Sequence, residues 1–188
     1  MLFIRVLTTT FFIVSAASVA FADDITDAMD QARKAYQAGD FAGAKQSLDT
    51  ASQLIGQKNA ERFAALLPAP LPGSKAEKAE TASVGVAMFG ASSASRRYSS
   101  SDGKNIEVRI TGDSAMVMQF AQFFMNPAIA GAMGKLVRVG SQRAIQTHEG
   151  DVNMVISHKY LVSVTGSGPS EAKLAYAQAV DIAKLSKM

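Results

Sequence analysis

The sequence predicts an α+β fold: an N-terminal αα-hairpin, then an antiparallel sheet of about six strands packed by two helices. Three observations predict it. Apolar residues recur at helical spacing between Ile25 and Ile55, with one Gly-Asp break in the middle. Beyond residue 84 the chain turns to short alternating runs separated by Gly, Asp, Ser and Asn, as hairpin-connected strands require. Helical and strand-forming stretches are also segregated along the chain, which favours antiparallel pairing over crossover units.

Residues 1–22 are expected to be a secretory signal peptide. Arg5 supplies the positive start, Val6 to Val14 an uncharged apolar stretch, and Ala20-Phe21-Ala22 a small-residue cut site before Asp23. Thr8, Thr9 and Thr10 weaken the apolar continuity that a membrane-spanning helix of about 20 residues needs. The remainder, residues 23–188, is long enough for one core with an appended hairpin. It has no Cys, which removes thiol nucleophiles, thiolate metal ligands and disulfides together, so burial alone must stabilise it. Lys and Arg total 19 against 16 Asp and Glu, a balance too slight for a nucleic-acid footprint. Between residues 81 and 165, eight basic residues stand against five acidic ones, a mild local bias.

In chain order, Ile25, Ala28, Met29, Ala32, Ala35 and Tyr36 define a first helix, ended by Gly39. Asp40 caps a second, with apolar positions Phe41, Ala44, Leu48, Ala51 and Ile55, and residues 59–67 continue the helix until Pro68 stops it. Prolines at 68, 70 and 72, followed by a charged run, mark residues 68–83 as an extended spacer between the hairpin (23–67) and an α+β domain (84–188). Val84, Val86 and Met88 alternate as a strand does. The Ser-rich stretch from Gly90 to Ser101 is expected as a surface loop, and Asp102-Gly103 as a turn into the strand of Ile106, Val108 and Ile110. Gly112-Asp113-Ser114 then opens a helical region to residue 134. Asn126-Pro127 interrupts it, because a residue before Pro is steered away from helical geometry. Four strands follow at residues 136–139, 143–147, 152–156 and 160–164, and a last helix at 171–185.

Together Ala32, Gly39, Asp40, Phe41, Ala44, Leu48 and Ala51 resemble one tetratricopeptide repeat. The pattern occurs once. A single repeat cannot bury its own face, so the resemblance implies a helical hairpin that docks on the rest of the chain or offers its face to a partner. The order of elements in the C-terminal part resembles a Mog1/PsbP-like αβα sandwich. Leu67-Pro68-Ala69-Pro70-Leu71-Pro72-Gly73 and Phe124-Met125-Asn126-Pro127-Ala128-Ile129-Ala130-Gly131 resemble segments of exported bacterial proteins, which implies an envelope location and no particular reaction.

Candidate chemistry is sparse. His148 and His158 flank one strand and so sit at its opposite ends, too far apart to share a metal ion. Met116, Met118, Met125 and Met133 raise a thioether copper site, but residues two apart on a helix diverge by about 200°, and Met beside Phe more simply fills apolar space. No G-x-S-x-G elbow is present, and Gly166-Ser167-Gly168 lacks the third Gly of a dinucleotide loop. Residues 115–134 carry no charge before Lys135. A helix apolar on nearly every side is wholly buried or faces a ligand, a partner or lipid. Met116, Met118, Phe120, Phe123, Phe124 and Met125 are therefore the candidate apolar binding residues, and Arg96, Arg97 and Tyr98 candidates for contact with an anion or partner.

These readings converge on a non-catalytic periplasmic or secreted binding module with an apolar site for a small hydrophobic molecule or lipid. The alternative is an envelope assembly or accessory factor acting through the hairpin. Neither reading calls for a cofactor, a metal, a nucleic-acid partner or a stable membrane span after cleavage. N-terminal sequencing of the exported protein should begin at Asp23; a membrane-bound form still starting at Met1 would overturn the export reading.

Overall fold

A computed structural model describes residues 23–83, 91–112, 117–118, 121–122 and 126–188. Helix α1 (Asp24–Gln37) begins where the Asp23 carboxylate accepts from the Ile25 amide, with Asp24 and Asp27 in a first turn whose exposed N–H groups favour negative charge. Gly39 reverses the chain at φ +79°, a left-handed conformation that glycine adopts without steric cost. Asp40 then accepts from the Gly43 amide at 2.9 Å and caps α2 (Phe41–Ala64), which runs unbroken for 24 residues.

The strands are β1 (Ser74–Ala76), β2 (Glu80–Ser83), β3 (Ser92–Ser100), β4 (Asn105–Gly112), β5 (Gly134–Val139), β6 (Gln142–Thr147), β7 (Val152–Ile156) and β8 (Tyr160–Gly166). All pair antiparallel in the order β1-β3-β4-β8-β7-β6-β5, and β2 also pairs with β3. Strands β1 and β2 occupy one edge of β3 in succession, Ala76 opposite Tyr98 and Glu80 opposite Ser95. Among the described residues the sheet thus has eight strands, where about six were expected. The added strands come from the stretch expected as a spacer and from the Ser-rich stretch expected as a loop, while the strand expected over Val84 to Met88 lies outside the described residues.

The cause is the helix above. A strand pairs through its backbone, and here the side chains are small because α2 lies close: a Cβ on Gly56 would sit 3.2 Å from Ser83 Cβ and 3.4 Å from Ser92 Oγ. Small residues that look like loop composition are the ones that allow this approach.

Helices α3 (Pro127–Met133), α4 (Ser170–Ala179) and α5 (Ile182–Leu185) complete the fold. Asn126 is extended and caps α3 through the Ala128 amide, with Pro127 in the first turn, so the expected interruption stands at the start of a short helix. The single helix expected at 171–185 is split: Val180 is buried in an extended conformation, and Asp181 accepts from the Lys184 amide at 2.9 Å to start again.

One face of the sheet holds the core. Val108, Ile110, Val152, Met154, Ile156, Val162 and Val164 are fully buried there, under the second half of α2 and under α4 and α5. Phe63 of α2 meets Tyr160 edge to face, ring centres 5.6 Å apart. Lys173 of α4 is buried and donates to Asp151 at 2.6 Å and to the Glu149 carbonyl at 2.9 Å, tying the helix to the β6–β7 turn. The opposite face is polar over β3, β4 and β8, where Glu107 bridges Arg97 and Arg109. Over β5 to β7 it is covered in part: Ile145 is fully buried on that side, and Val117, Ala121 and Ala130 of the β4–β5 connection are buried as well, while Leu136, Arg138 and Arg143 on the same face are exposed. No helix among the described residues is long and apolar enough to cross a membrane.

Replacing Phe63 with Ala removes a ring at the junction of α2 and the sheet and should cost about 3–5 kcal/mol in denaturant melts. A loss below about 1 kcal/mol would mean that α2 is not seated on the sheet.

Candidate functional site

Helix α2 has two neighbours and three apolar stripes. Ala44 and Ala51 face α1, where they meet the buried Ala28 and Ala32, and the small contacts let the two helices approach closely. Ala60, Phe63 and Leu67 face the sheet. The third stripe, Phe41, Leu48 and Ile55, faces neither: these side chains are 68%, 56% and 39% exposed. Seven-residue steps drift by only about 20° on a helix, so the three lie in one line about 21 Å long.

The same spacing recurs on α1, where Met29 and Tyr36 are 48% and 65% exposed. Tyr36 touches Phe41 edge to face across the hairpin turn, ring centres 5.8 Å apart. The helices run antiparallel from that contact, so Met29 and Leu48 stand level one step further from the turn. Five large apolar side chains thus form one surface on the hairpin, while alanines occupy the seam beneath. A contiguous exposed apolar surface of this kind is a candidate for association. Its flanks carry the Asp30–Arg33 and Lys45–Asp49 ion pairs, both exposed.

The residues expected to bind fall elsewhere. Met116, Phe120, Phe123, Phe124 and Met125 lie outside the described residues. Met118 is 66% exposed, while Val117 and Ala121 beside it are buried. Strand alternation separates Arg96, Arg97 and Tyr98. Arg97 points to the polar face and pairs with Glu107 at 3.6 Å. Tyr98 and Arg96 point to the core face, where both donate to the Pro68 carbonyl, at 2.6 and 3.3 Å. The Tyr98 ring packs on Tyr176 at 4.3 Å, and the Tyr176 hydroxyl accepts from the Leu71 amide at 3.2 Å. Proline carries no amide hydrogen, so only Ala69 and Leu71 offer amides here, and the segment is held through the Pro68 carbonyl and the Leu71 amide.

Beside this clamp lies a cleft of about 460 Å³ between the proline segment, the β3–β4 turn and the start of α4. Ser100 and Lys104 hold the Asp102 carboxyl in that turn down to about 2 by hydrogen bonding. His148 and His158 occupy the turns at the two ends of β7. Among the described residues no three His, Cys, Asp or Glu side chains gather as a metal site would need. Comparison with family models, with curated proteins and with solved structures finds no match.

Sequence patterning contained the hairpin surface without separating it from the seam. The missed signal is the seven-residue spacing of Phe41, Leu48 and Ile55, repeated by Met29 and Tyr36.

Burial pushes the Tyr98 phenol up to about 12, with Arg96 beside it pulling part of the way back. The unfolded phenol ionises near 10, so between about pH 10 and 12 the unfolded chain loses a proton that the folded chain keeps. Stability should be steady with respect to this group below pH 10 and fall as pH rises from 10 to 12. Absorbance titration should show one phenol ionising late, toward pH 12; loss of that late phase in Tyr98→Phe assigns it, and a wild-type curve without it would refute the reading.

Proposed function

We propose that the chain is exported and works as a non-catalytic interaction module, docking through the hairpin face of Met29, Tyr36, Phe41, Leu48 and Ile55 onto an amphipathic helix of an envelope protein. The single observation that carries this reading is the inversion on the hairpin: alanines in the seam, large apolar residues outside. A hairpin built only to stabilise itself would bury the larger groups, since each contributes about 1.5–3 kcal/mol when fully covered. The groove between two antiparallel helices with apolar residues at seven-residue steps has the shape and period that a third helix fills. Charged pairs along both flanks supply the polar rim that such interfaces use.

A second reading keeps the apolar ligand site at the β4–β5 connection. It is favoured by Met118, Ile129 and Leu136, which are exposed on or beside that connection.

Site-specific photocrosslinking separates the two. A benzophenone amino acid at Leu48 should trap one defined protein in intact cells, while the same group at the exposed Gln53 should not. Phe41→Ser with Leu48→Ser should abolish the crosslink formed from Ile55 and weaken binding of the trapped protein at least about tenfold, while changing stability by less than about 1 kcal/mol. Equal crosslinking at Leu48 and Gln53 would refute the hairpin reading, and a Leu48 product consisting only of the chain itself would replace it with self-association. Trapping confined to Met118 would favour the connection instead.

A further inference from the structure

We propose that the end of the sheet where the β5–β6 and β7–β8 turns meet binds the anionic group of a small organic acid or phosphate ester, held by Arg143 and His158, with Arg138 opposite Arg143 across the hairpin. A cavity of about 370 Å³ opens there, lined by Arg143, His158, Ser141 and Ser157, with Val155 and Ala121 as an apolar wall. Among the described residues its lining contains no carboxylate. The lining joins two cations or potential cations, hydroxyl donors and a greasy side, which is the composition that an amphiphilic anion requires.

Two features cost the fold something and find no compensation within the described chain. The first is the register of the β5–β6 hairpin, which sets Arg138 directly opposite Arg143. Directly opposed residues share a face with Cβ atoms about 5 Å apart, and like charges there repel. None of the ion pairs among the described residues includes either arginine, in contrast to Arg97 and Arg109, which share Glu107 on the same face. An oxyanion in the cavity at Arg143 supplies the missing negative charge, and arginine's planar fork suits carboxylate and phosphate alike.

The second feature is the turn. Ser157 and His158 both adopt left-handed backbone, at φ 52° and 56°, as the first two of the three residues between β7 and β8, a conformation that Asn-Gly takes without strain. The strained pair are the two turn residues that line the cavity. Their side chains are the gain that a glycine would forfeit: a hydroxyl and an imidazole held beside Arg143. The site stands apart from the hairpin surface and does not rest on the function proposed for it.

Titration of the isotope-labelled protein with phenyl phosphate, benzoate and inorganic phosphate at constant ionic strength tests this. Shifts should concentrate on the Arg143 guanidinium and the His158 ring, and phenyl phosphate should bind more tightly than inorganic phosphate because its ring rests on Val155. If benzoate matches phenyl phosphate, the natural ligand class is the carboxylate; if it fails to bind, it is the phosphate ester. Arg143→Gln should weaken binding about tenfold or more, whereas Arg109→Gln should leave it unaltered. His158→Gly should raise Tm without ligand, by relieving the turn, and reduce the rise in Tm that phenyl phosphate produces. That opposition distinguishes a binding role from a structural one. Shifts spread over all surface cations, or unchanged affinity in Arg143→Gln, would overturn the proposal.

Discussion

The seating of α2 on the sheet governs the rest of the molecule. Its second half is part of the core, fixed by Phe63 against Tyr160 and by the close passage of Gly56 over Ser83 and Ser92. Its first half carries α1. Because the helix is continuous for 24 residues, the hairpin surface takes its orientation from contacts far along the same rod. Such rigidity matters for association. Side chains presented on an ordered helix lose less freedom on binding than those on a loop, so more of the apolar burial is left as affinity.

A similar economy governs the proline segment. Composition alone describes residues 68–72 as a stiff, solvated spacer, since proline removes the donors that would tie it to a sheet. The segment is nevertheless fastened, because Tyr98 and Arg96 bring donors to the Pro68 carbonyl and Tyr176 offers an acceptor to the Leu71 amide. Two stacked tyrosines, one from the sheet and one from α4, thus place the segment on the core. No local pattern could show this, because the partners are about 30 and 105 residues away.

What was legible in the chain follows the same division between local and distant causes. The hairpin, the Asp102-Gly103 turn and the β5 to β8 meander could be read because their apolar alternation and turn residues are local. Strand β3 could not: Ser92 and Ala94, buried on the face that α2 covers, give no apolar signal, and the small size of Ser92 answers to Gly56, about 36 residues earlier. The final helix divides at Val180 because that residue is drawn into the core in an extended conformation, a demand of packing that helical periodicity does not record. On the hairpin, Ala28, Met29, Ala32 and Tyr36 read as one apolar face. Packing divides that face, taking the alanines into the seam and leaving Met29 and Tyr36 outside. Periodicity locates such a stripe but does not say which edge of it a neighbour will cover. The cationic end of β5 and β6 was still harder to see, since Arg138 and Arg143 become neighbours only through the hairpin register.

The cationic cavity and the hairpin that carries the apolar surface belong to opposite sides of the sheet. Helix α2 packs near β2 and β3, whereas the Arg138–Arg143 pair belongs to β5 and β6 at the far edge. Strands β4, β8 and β7 stand between β3 and β6, a separation of about 19 Å at ordinary strand spacing. Coupling across that distance needs an element with two alternative arrangements that both sites bias. The intervening strands offer none: they are joined by continuous antiparallel ladders, and their inward side chains are fully buried between the sheet and its covering helices. A packed core of this kind resists small displacement rather than transmitting it as a switch. Filling of the proposed cationic cavity should therefore leave the hairpin face unaltered, and the effects of substitutions at the two places on stability should add in denaturant melts, as they do for distant sites without shared partners.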